Sequence, residues 1–343
     1  MRLRRWTSLA LLVPVGAHLV RQARAVAEVD PGLRRNRFLW APGEVFVRPL
    51  LPLLRAVPLP DVPAPDGVVV TRTHLEGPGG DLPVLVCTPD SGTAVSRPGV
   101  LYVHSGGTVL GSAAQEEGQA AQLAADLDAV VVSPDYRLAP EHPYPAAPED
   151  CYATWLWLHD RAEGLGVDPA RTAVVGASAG GGLAALVTHL AEDRDGPRPV
   201  LQVLVYPMLD DRTTLVEDHR GRGRLVWTPR ANRLGWTSYL GAEPRRESAP
   251  EGAVPARRED LSGLPPAWIG VGDLDLFHPE DLEYARRLRA AGVDVELVEV
   301  PRAPHAFQFA RGEASRAFVA SYTDALRRAL SAGAGRAPDG VAR

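Results

Sequence analysis

Residues 174–182 read VVGASAGGG: two β-branched residues, then a single serine set among glycines and alanines. Val174 and Val175 close an apolar run over 172–175 that reads as a short buried strand, and residues 179–190 read as a helix of small and apolar side chains. A serine between the two sits on a sharp strand-to-helix turn, which strains its backbone and demands small neighbours. Gly176 and Gly180 meet that demand. Such a turn holds the hydroxyl out at the carboxyl end of a strand, beside the free N–H groups of a helix N-terminus, which favour developing negative charge. Ser178 is therefore a candidate nucleophile. A chain with 33 glycines in 343 residues can also show Gly-x-Ser-x-Gly by accident, so the weight of the pattern depends on its surroundings.

Upstream, strand-like runs over 67–75 and 82–89 flank Glu76-Gly-Pro-Gly-Gly80, a hairpin signal, so the sheet is expected to begin antiparallel. Beyond it, strands over 99–104, 129–133, 172–175, 200–206, 267–271 and 294–300 alternate with helices at about 117–127, 150–163, 179–190 and 279–291. That order predicts an α/β fold: a mostly parallel central sheet with helices on both faces, whose ligands bind at the carboxyl ends of the strands. Ser178 lies at such an end.

A serine hydroxyl needs a base to take its proton, and the base needs an acid to fix its tautomer and stabilise the imidazolium. Nine histidines compete. His189 lies eleven residues along the helix from Ser178, about 16 Å away at the helical rise, and is out of reach. His18 lies outside the sheet, and His159 and His219 read as packing or surface residues. His305 follows the strand over 294–300, in the loop Pro301-Arg-Ala-Pro-His-Ala306 at the same edge of the sheet, and is preferred over His278. For the acid, Gly272-Asp-Leu-Asp-Leu-Phe277 offers Asp273 and Asp275 at the end of another strand, and either aspartate could instead cap the following helix. Spacing does not choose between them. Donors for an oxyanion are expected from a glycine-rich loop after an earlier strand, and Val103-His-Ser-Gly-Gly107 fits: Gly106 and Gly107 can turn their N–H groups inward, and Ala179 adds a third.

These stretches together resemble the bacterial hormone-sensitive-lipase-like esterases of the α/β-hydrolase superfamily, over about residues 66–309. The resemblance rests on His104-Ser-Gly-Gly107 for the family's His-Gly-Gly-Gly, on Asp135-Tyr-Arg-Leu-Ala-Pro-Glu-His-Pro-Tyr-Pro-Ala146, and on Gly176-Ala-Ser-Ala-Gly-Gly181 for Gly-Asp-Ser-Ala-Gly-Gly. It implies a serine carboxylesterase acting on short- to medium-chain esters without metal or cofactor. Asp275-Leu-Phe277 matches the family's Asp-Pro-Leu loop, so the resemblance selects Asp275 over Asp273, and His305 falls on the family's catalytic histidine. It makes Ser178, His305 and Asp275 the triad, Gly106, Gly107 and Ala179 the oxyanion donors, and His104, Gly176 and Gly180 their supports. It also implies a cap, from about 34–59 and 211–255, whose Leu225, Trp227, Trp236 and Tyr239 wall an apolar pocket; the same residues could equally be plain packing. Four positions depart from the pattern: Ser105 for glycine, Ala177 for aspartate, Leu276 for proline and Ala306 for glycine. A small-ligand-binding protein that lost catalysis is the main alternative, disfavoured because all three triad residues are present. An amide or lactone hydrolase using the same residues is another.

The rest of the chain sets bounds. A net charge of −5 with interspersed signs gives no case for nucleic acid, leaving a small-molecule ester as the expected partner and a homodimer open. Two cysteines, Cys87 in a strand and Cys151 where a helix is expected to start, imply no disulfide framework. The organisation read from the sequence is an apolar and basic extension over 1–27, an N-terminal part of the cap over 28–60, and a catalytic domain over 61–335 with a cap insertion around 211–255. In the extension, Met1-Arg-Leu-Arg-Arg precedes an uncharged run over 6–20, and Ala25-Val-Ala27 resembles a cleavage site, although Arg21 and Arg24 speak against it. A helix lying on a membrane or packed on the domain is preferred to a secretion signal, which makes a cytoplasmic or membrane-peripheral location the expectation. The tail over 331–343 is expected to fray.

Overall fold

The β-branched runs assemble into one eight-stranded sheet in the computed structural model, which describes residues 19–40, 47–56, 63–90 and 96–332. Strands β1 (Val68–Gly77) and β2 (Gly80–Pro89) form the expected hairpin, turning through Pro78 and Gly79. They are followed by β3 (Arg97–Val103), β4 (Val130–Pro134), β5 (Val167–Ala177), β6 (Gln202–Val205), β7 (Ala267–Gly272) and β8 (Val295–Val300). The strand order is β1-β2-β4-β3-β5-β6-β7-β8. β2 runs antiparallel to both its neighbours, and every pairing from β4 to β8 is parallel.

The main helices are α1 (Glu117–Leu127), α2 (Ala146–Asp160), α3 (Ala179–Asp193), α4 (Pro229–Leu240), α5 (His278–Ala290) and α6 (Glu313–Ala332). They cover both faces, which is why the central strands read as unbroken apolar runs. On β5, Val174 packs to one side with Trp155 and Leu158 of α2 and Leu183 of α3. Ala173 and Val175 pack to the other with Ala120 and Ala124 of α1 and Phe318 of α6. Residues 19–28 are helical, and Val26, Val29, Leu33 and Leu39 join the α6 side.

Several elements differ from expectation. β5 begins five residues before the expected strand, because Val167 already pairs with Arg97; the polar stretch over 168–171 that follows has no partner on β3, and the ladder resumes at Thr172 opposite Gly99. α2 starts at Ala146, so Cys151 lies inside it rather than at its start; both cysteines are buried free thiols. α6 was not anticipated at all. Most of the apolar run over 6–20 lies outside the described residues, as do 41–46 and 57–59 of the expected cap and 333–343 of the tail. Among the described residues no helix is long and apolar enough to cross a membrane, and no cluster of three or more His, Cys, Asp or Glu side chains could hold a metal ion.

Candidate active site

The turn between β5 and α3 is as tight as the sequence demands. Ser178 sits at φ 58° and ψ −122°, a strained conformation for a residue with a side chain. A Cβ on Gly176 would stand 2.1 Å from the Gly180 carbonyl oxygen, and a Cβ on Gly180 would stand 2.1 Å from the carbonyl oxygen of Val103. The two glycines therefore let β5, α3 and the end of β3 close on one another, which brings the loop after β3 over the serine.

His305 and Asp275 arrive from the ends of β8 and β7. His305 Nε2 lies 2.9 Å from Ser178 Oγ, and His305 Nδ1 lies 2.7 Å from Asp275 Oδ2. Ionised Asp275 only accepts, so Nδ1 carries the proton and Nε2 is left as acceptor for the serine hydroxyl. Asp275 is fully buried, and its other oxygen accepts the Phe277 N–H at 3.0 Å, which fixes the carboxylate plane. The imidazole is ringed by Tyr206 (4.6 Å between centroids), Phe277 (5.4 Å) and Trp227 (6.3 Å). An apolar ring of this kind keeps water from competing for its hydrogen bonds.

The two rival residues have other work. Asp273 Oδ1 accepts the Arg302 N–H at 2.6 Å and so ties the acid loop to the histidine loop. His278 pairs with Glu299 at 2.8 Å. His189 bonds the Tyr284 hydroxyl at 2.9 Å, and burial holds its pKa down to about 3. His159 bonds Thr172 Oγ1 at 3.1 Å.

The loop after β3 is held from below. His104 stacks on Tyr136 at 4.1 Å and nearly parallel, and the Tyr136 hydroxyl donates to the His104 carbonyl at 3.0 Å. His104 Nδ1 donates to the Ser105 carbonyl at 2.8 Å, and burial pushes the pKa of the ring below the usual histidine value. Gly106 (φ 127°) and Gly107 (φ 63°) adopt conformations that side chains resist, and a Cβ on Gly107 would stand 2.1 Å from the Trp227 ring. Their N–H groups and that of Ala179, at the first position of α3 where no helical acceptor exists, are the candidate oxyanion donors.

Ser105 has a partner that the sequence reading missed. Its N–H donates to Glu116 Oε1 at 3.0 Å, its hydroxyl donates to the same oxygen, and Glu116 Oε2 accepts the Tyr102 hydroxyl at 2.8 Å. Glu116 is buried, so one carboxylate anchors the first residue of the donor loop to β3. Glu116→Gln turns one acceptor oxygen into a donor facing a donor. The expected outcome is a kcat lowered by about 10- to 100-fold, less than the roughly 10²- to 10³-fold that follows outright loss of an oxyanion donor, with KM changing less. Steady-state kinetics on one short-chain ester measures it, and an unchanged kcat would remove Glu116 from the machinery.

Asn36 was missed as well: its buried amide donates to the carbonyl of Ala306 at 2.8 Å, bracing the residue after the histidine. Ala306 takes φ 59°, a conformation that explains why a glycine suits this position. Leu276 is buried and packs close to Gly223 of the segment over 211–255, so the proline position has become a contact. Ala177 is buried in β5 beside Val205, where a carboxylate would be desolvated. Only the serine departure offers a sequence signal for its partner, and that signal points no further than an unusual polar residue in a glycine loop.

Comparison with known proteins agrees with the fold. The α/β-hydrolase-fold family matches residues 100–309. Esterase LipI of Mycobacterium tuberculosis is 35% identical over 277 residues, covering 80% of this chain and 84% of its own length. Carboxylic ester hydrolase LipN of the same organism is 39% identical over 272 residues, covering 77% and 71%. Among solved structures, a bacterial heroin esterase superposes with a TM-score of 0.78 at 33% identity, over 89% of this chain and 98% of its own. Esterase LipW from Mycobacterium marinum gives 0.74 at 35%, over 89% and 97%. With the strand order, the serine turn and the loop after β3 already pointing the same way, the chain belongs to the hormone-sensitive-lipase-like branch of the α/β-hydrolase fold family.

Proposed function

We propose that the protein is a serine carboxylesterase for short- to medium-chain esters, with Ser178, His305 and Asp275 as its triad. The observation that carries the reading is the continuous chain from Asp275 through His305 to Ser178, at 2.7 and 2.9 Å, on a strained turn at the carboxyl edge of the sheet. Ser178 Oγ attacks the ester carbonyl as its proton passes to His305 Nε2. The N–H groups of Gly106, Gly107 and Ala179 stabilise the oxyanion. Collapse of the tetrahedral intermediate breaks the C–O bond to the alcohol, which takes the proton back from His305. Water then repeats the sequence on the acyl-enzyme and frees the acid.

The described parts of the segments over 34–59 and 211–255 act as the cap. Support comes from Leu51 and Leu234, which pack together with Val109 and Ala139 beside the donor loop, and from Trp227 against Gly107. Arg55 reinforces that contact by bonding the Val109 and Ala139 carbonyls at 2.8 Å and Glu141 at 2.9 Å.

An organophosphonate ester tests the reading directly, because it mimics the tetrahedral intermediate and leaves a covalent mark on the nucleophile. One equivalent is expected to add, with the labelled peptide containing Ser178. A label mapping to any other serine would overturn the assignment.

A further inference from the structure

A short helix over Leu51–Arg55 lies against the donor loop, with Pro52 in its first turn, where a missing N–H costs nothing. Leu51 and Arg55 are four residues apart and so share a face. Leu51 is fully buried and joins Val109, Leu110 and Ala139 in one apolar cluster, whereas Leu53, on the other side of the helix, is 66% exposed. Arg55 works beside that cluster. Its Nε donates to the Val109 carbonyl and one terminal nitrogen to the Ala139 carbonyl, each at 2.8 Å, while both terminal nitrogens bond the Glu141 carboxylate at 2.9 and 3.1 Å. Charge-assisted bonds of this length, in the fixed fork of a guanidinium, hold two backbone segments in one arrangement.

The Val109 and Ala139 carbonyls belong to the frame that aims one oxyanion donor. In a trans peptide the C=O and the following N–H point in opposite directions, so whatever holds a carbonyl also aims the next N–H. The Gly106 N–H follows the Ser105 carbonyl, which His104 Nδ1 holds at 2.8 Å. The Gly107 N–H follows the Gly106 carbonyl, which accepts the N–H groups of Val109 at 3.2 Å and Leu110 at 2.9 Å. The first donor is thus aimed from β3, and the second by the turn over 106–110. That turn is braced by the Ala139 N–H, which donates to the Thr108 carbonyl at 2.9 Å, and by Arg55, which ties Val109 to Ala139. Among the described residues, Arg55 is the one that reaches the turn from the cap by a hydrogen bond.

Building on the esterase reading above, we propose that Arg55 is a positioning residue for ester hydrolysis: it transmits the docking of the cap to the Gly107 N–H, so that the oxyanion site is complete only while residues 51–55 sit on the donor loop. Without the guanidinium the Val109 and Ala139 carbonyls lose their shared donor, and the turn over 106–110 is free to rotate the Gly107 N–H off its line. The loss falls on the transition state, where the oxyanion is charged, more than on the bound ester, whose carbonyl is neutral.

The test pairs ester kinetics with an aryl trifluoromethyl ketone on the full chain. In the ketone complex Ser178 Oγ bonds to the carbonyl carbon, the serine proton passes to His305, and the former carbonyl oxygen becomes the oxyanion, so its affinity reads the donors directly. Arg55→Met is expected to lower kcat on p-nitrophenyl acetate by about tenfold or more, less than outright loss of a donor, with KM moving by less than about threefold. The inhibition constant of the ketone is expected to rise by the same factor as kcat/KM falls. Arg55→Lys, which keeps the charge but not the fork, moves both in the same direction by a smaller factor and serves if the methionine variant does not fold. In Arg55→Ala, millimolar ethylguanidinium is expected to restore part of kcat and of ketone affinity together. A folded Arg55 variant with wild-type kcat, or one whose loss lies in KM or melting temperature with ketone affinity unchanged, makes Arg55 a plain packing contact and overturns the proposal while leaving ester hydrolysis standing. Failure of the folded wild type to cleave the ester overturns the esterase reading, and this proposal with it.

Discussion

Ser178→Ala lowers kcat for ester hydrolysis by about 10⁵- to 10⁶-fold, the scale on which removing a triad serine acts in serine proteases. Alanine keeps the turn but has no oxygen to attack with, so only the rate supplied by the donor loop and by binding remains. The fold survives the change. The Ser178 side chain caps no helix end, and its described bond is the one to His305. Alanine at φ 58° carries much the same strain as serine, so the substitution adds no backbone penalty. A melting temperature within a few degrees of the wild type is therefore expected, since no named destabilising mechanism is triggered. Turnover above about one per cent of wild type, in protein free of contaminating esterase, would remove Ser178 from the nucleophile's role.

The site was more legible in the sequence than the fold that carries it. Ser178, His305 and both loop aspartates announce themselves because catalytic groups sit in loops at strand ends, where residue chemistry and local punctuation are readable together. Glu116 and Asn36 gave no such signal. Asn36 reaches a carbonyl 270 residues away, and nothing local to either residue marks that contact. Glu116 looks like any first-turn acid before a helix, and only its burial beneath Ser105 shows that it braces the donor loop. A pattern of residue types along the chain cannot report a contact that depends on how β3 and α1 are brought together.

The fold errors have different causes. The start of β5 was hidden because Asp168, Pro169, Ala170 and Arg171 read as a loop, and they do bulge from the ladder: Val167 pairs with Arg97, and the next paired residue is Thr172, opposite Gly99. The start of α2 was hidden by the proline-rich stretch before it, although Pro148 falls in its first turn, where a missing N–H costs nothing. α6 is another matter. Phe318, Tyr322, Leu326 and Leu330 recur every four residues and pack on the sheet, so its period was present in the sequence and was passed over.

Asp275→Asn lowers kcat by about 10⁴-fold, whereas Asp273→Asn changes it by less than about tenfold. The contrast follows from what each carboxylate touches. At 275 the carboxylate accepts twice, from His305 Nδ1 and from the Phe277 N–H. An asparagine has only one acceptor oxygen. If that oxygen keeps the Phe277 bond, the amide NH₂ faces His305 Nδ1 and can be satisfied only by the tautomer protonated on Nε2, which has no lone pair left for the serine proton. If it turns to His305, the NH₂ meets the Phe277 N–H, and the imidazolium formed during attack still lacks a negative partner in a buried site. Either arrangement disables the base. At 273 the Arg302 N–H needs one acceptor, Oδ1, and asparagine supplies it in the same place. That variant should lose some stability in the two linked loops but keep its turnover and its pH profile. Kinetics of both variants on one short-chain ester decides the matter, and a larger loss at 273 than at 275 would mean that the short contact to His305 is not the one that sustains catalysis.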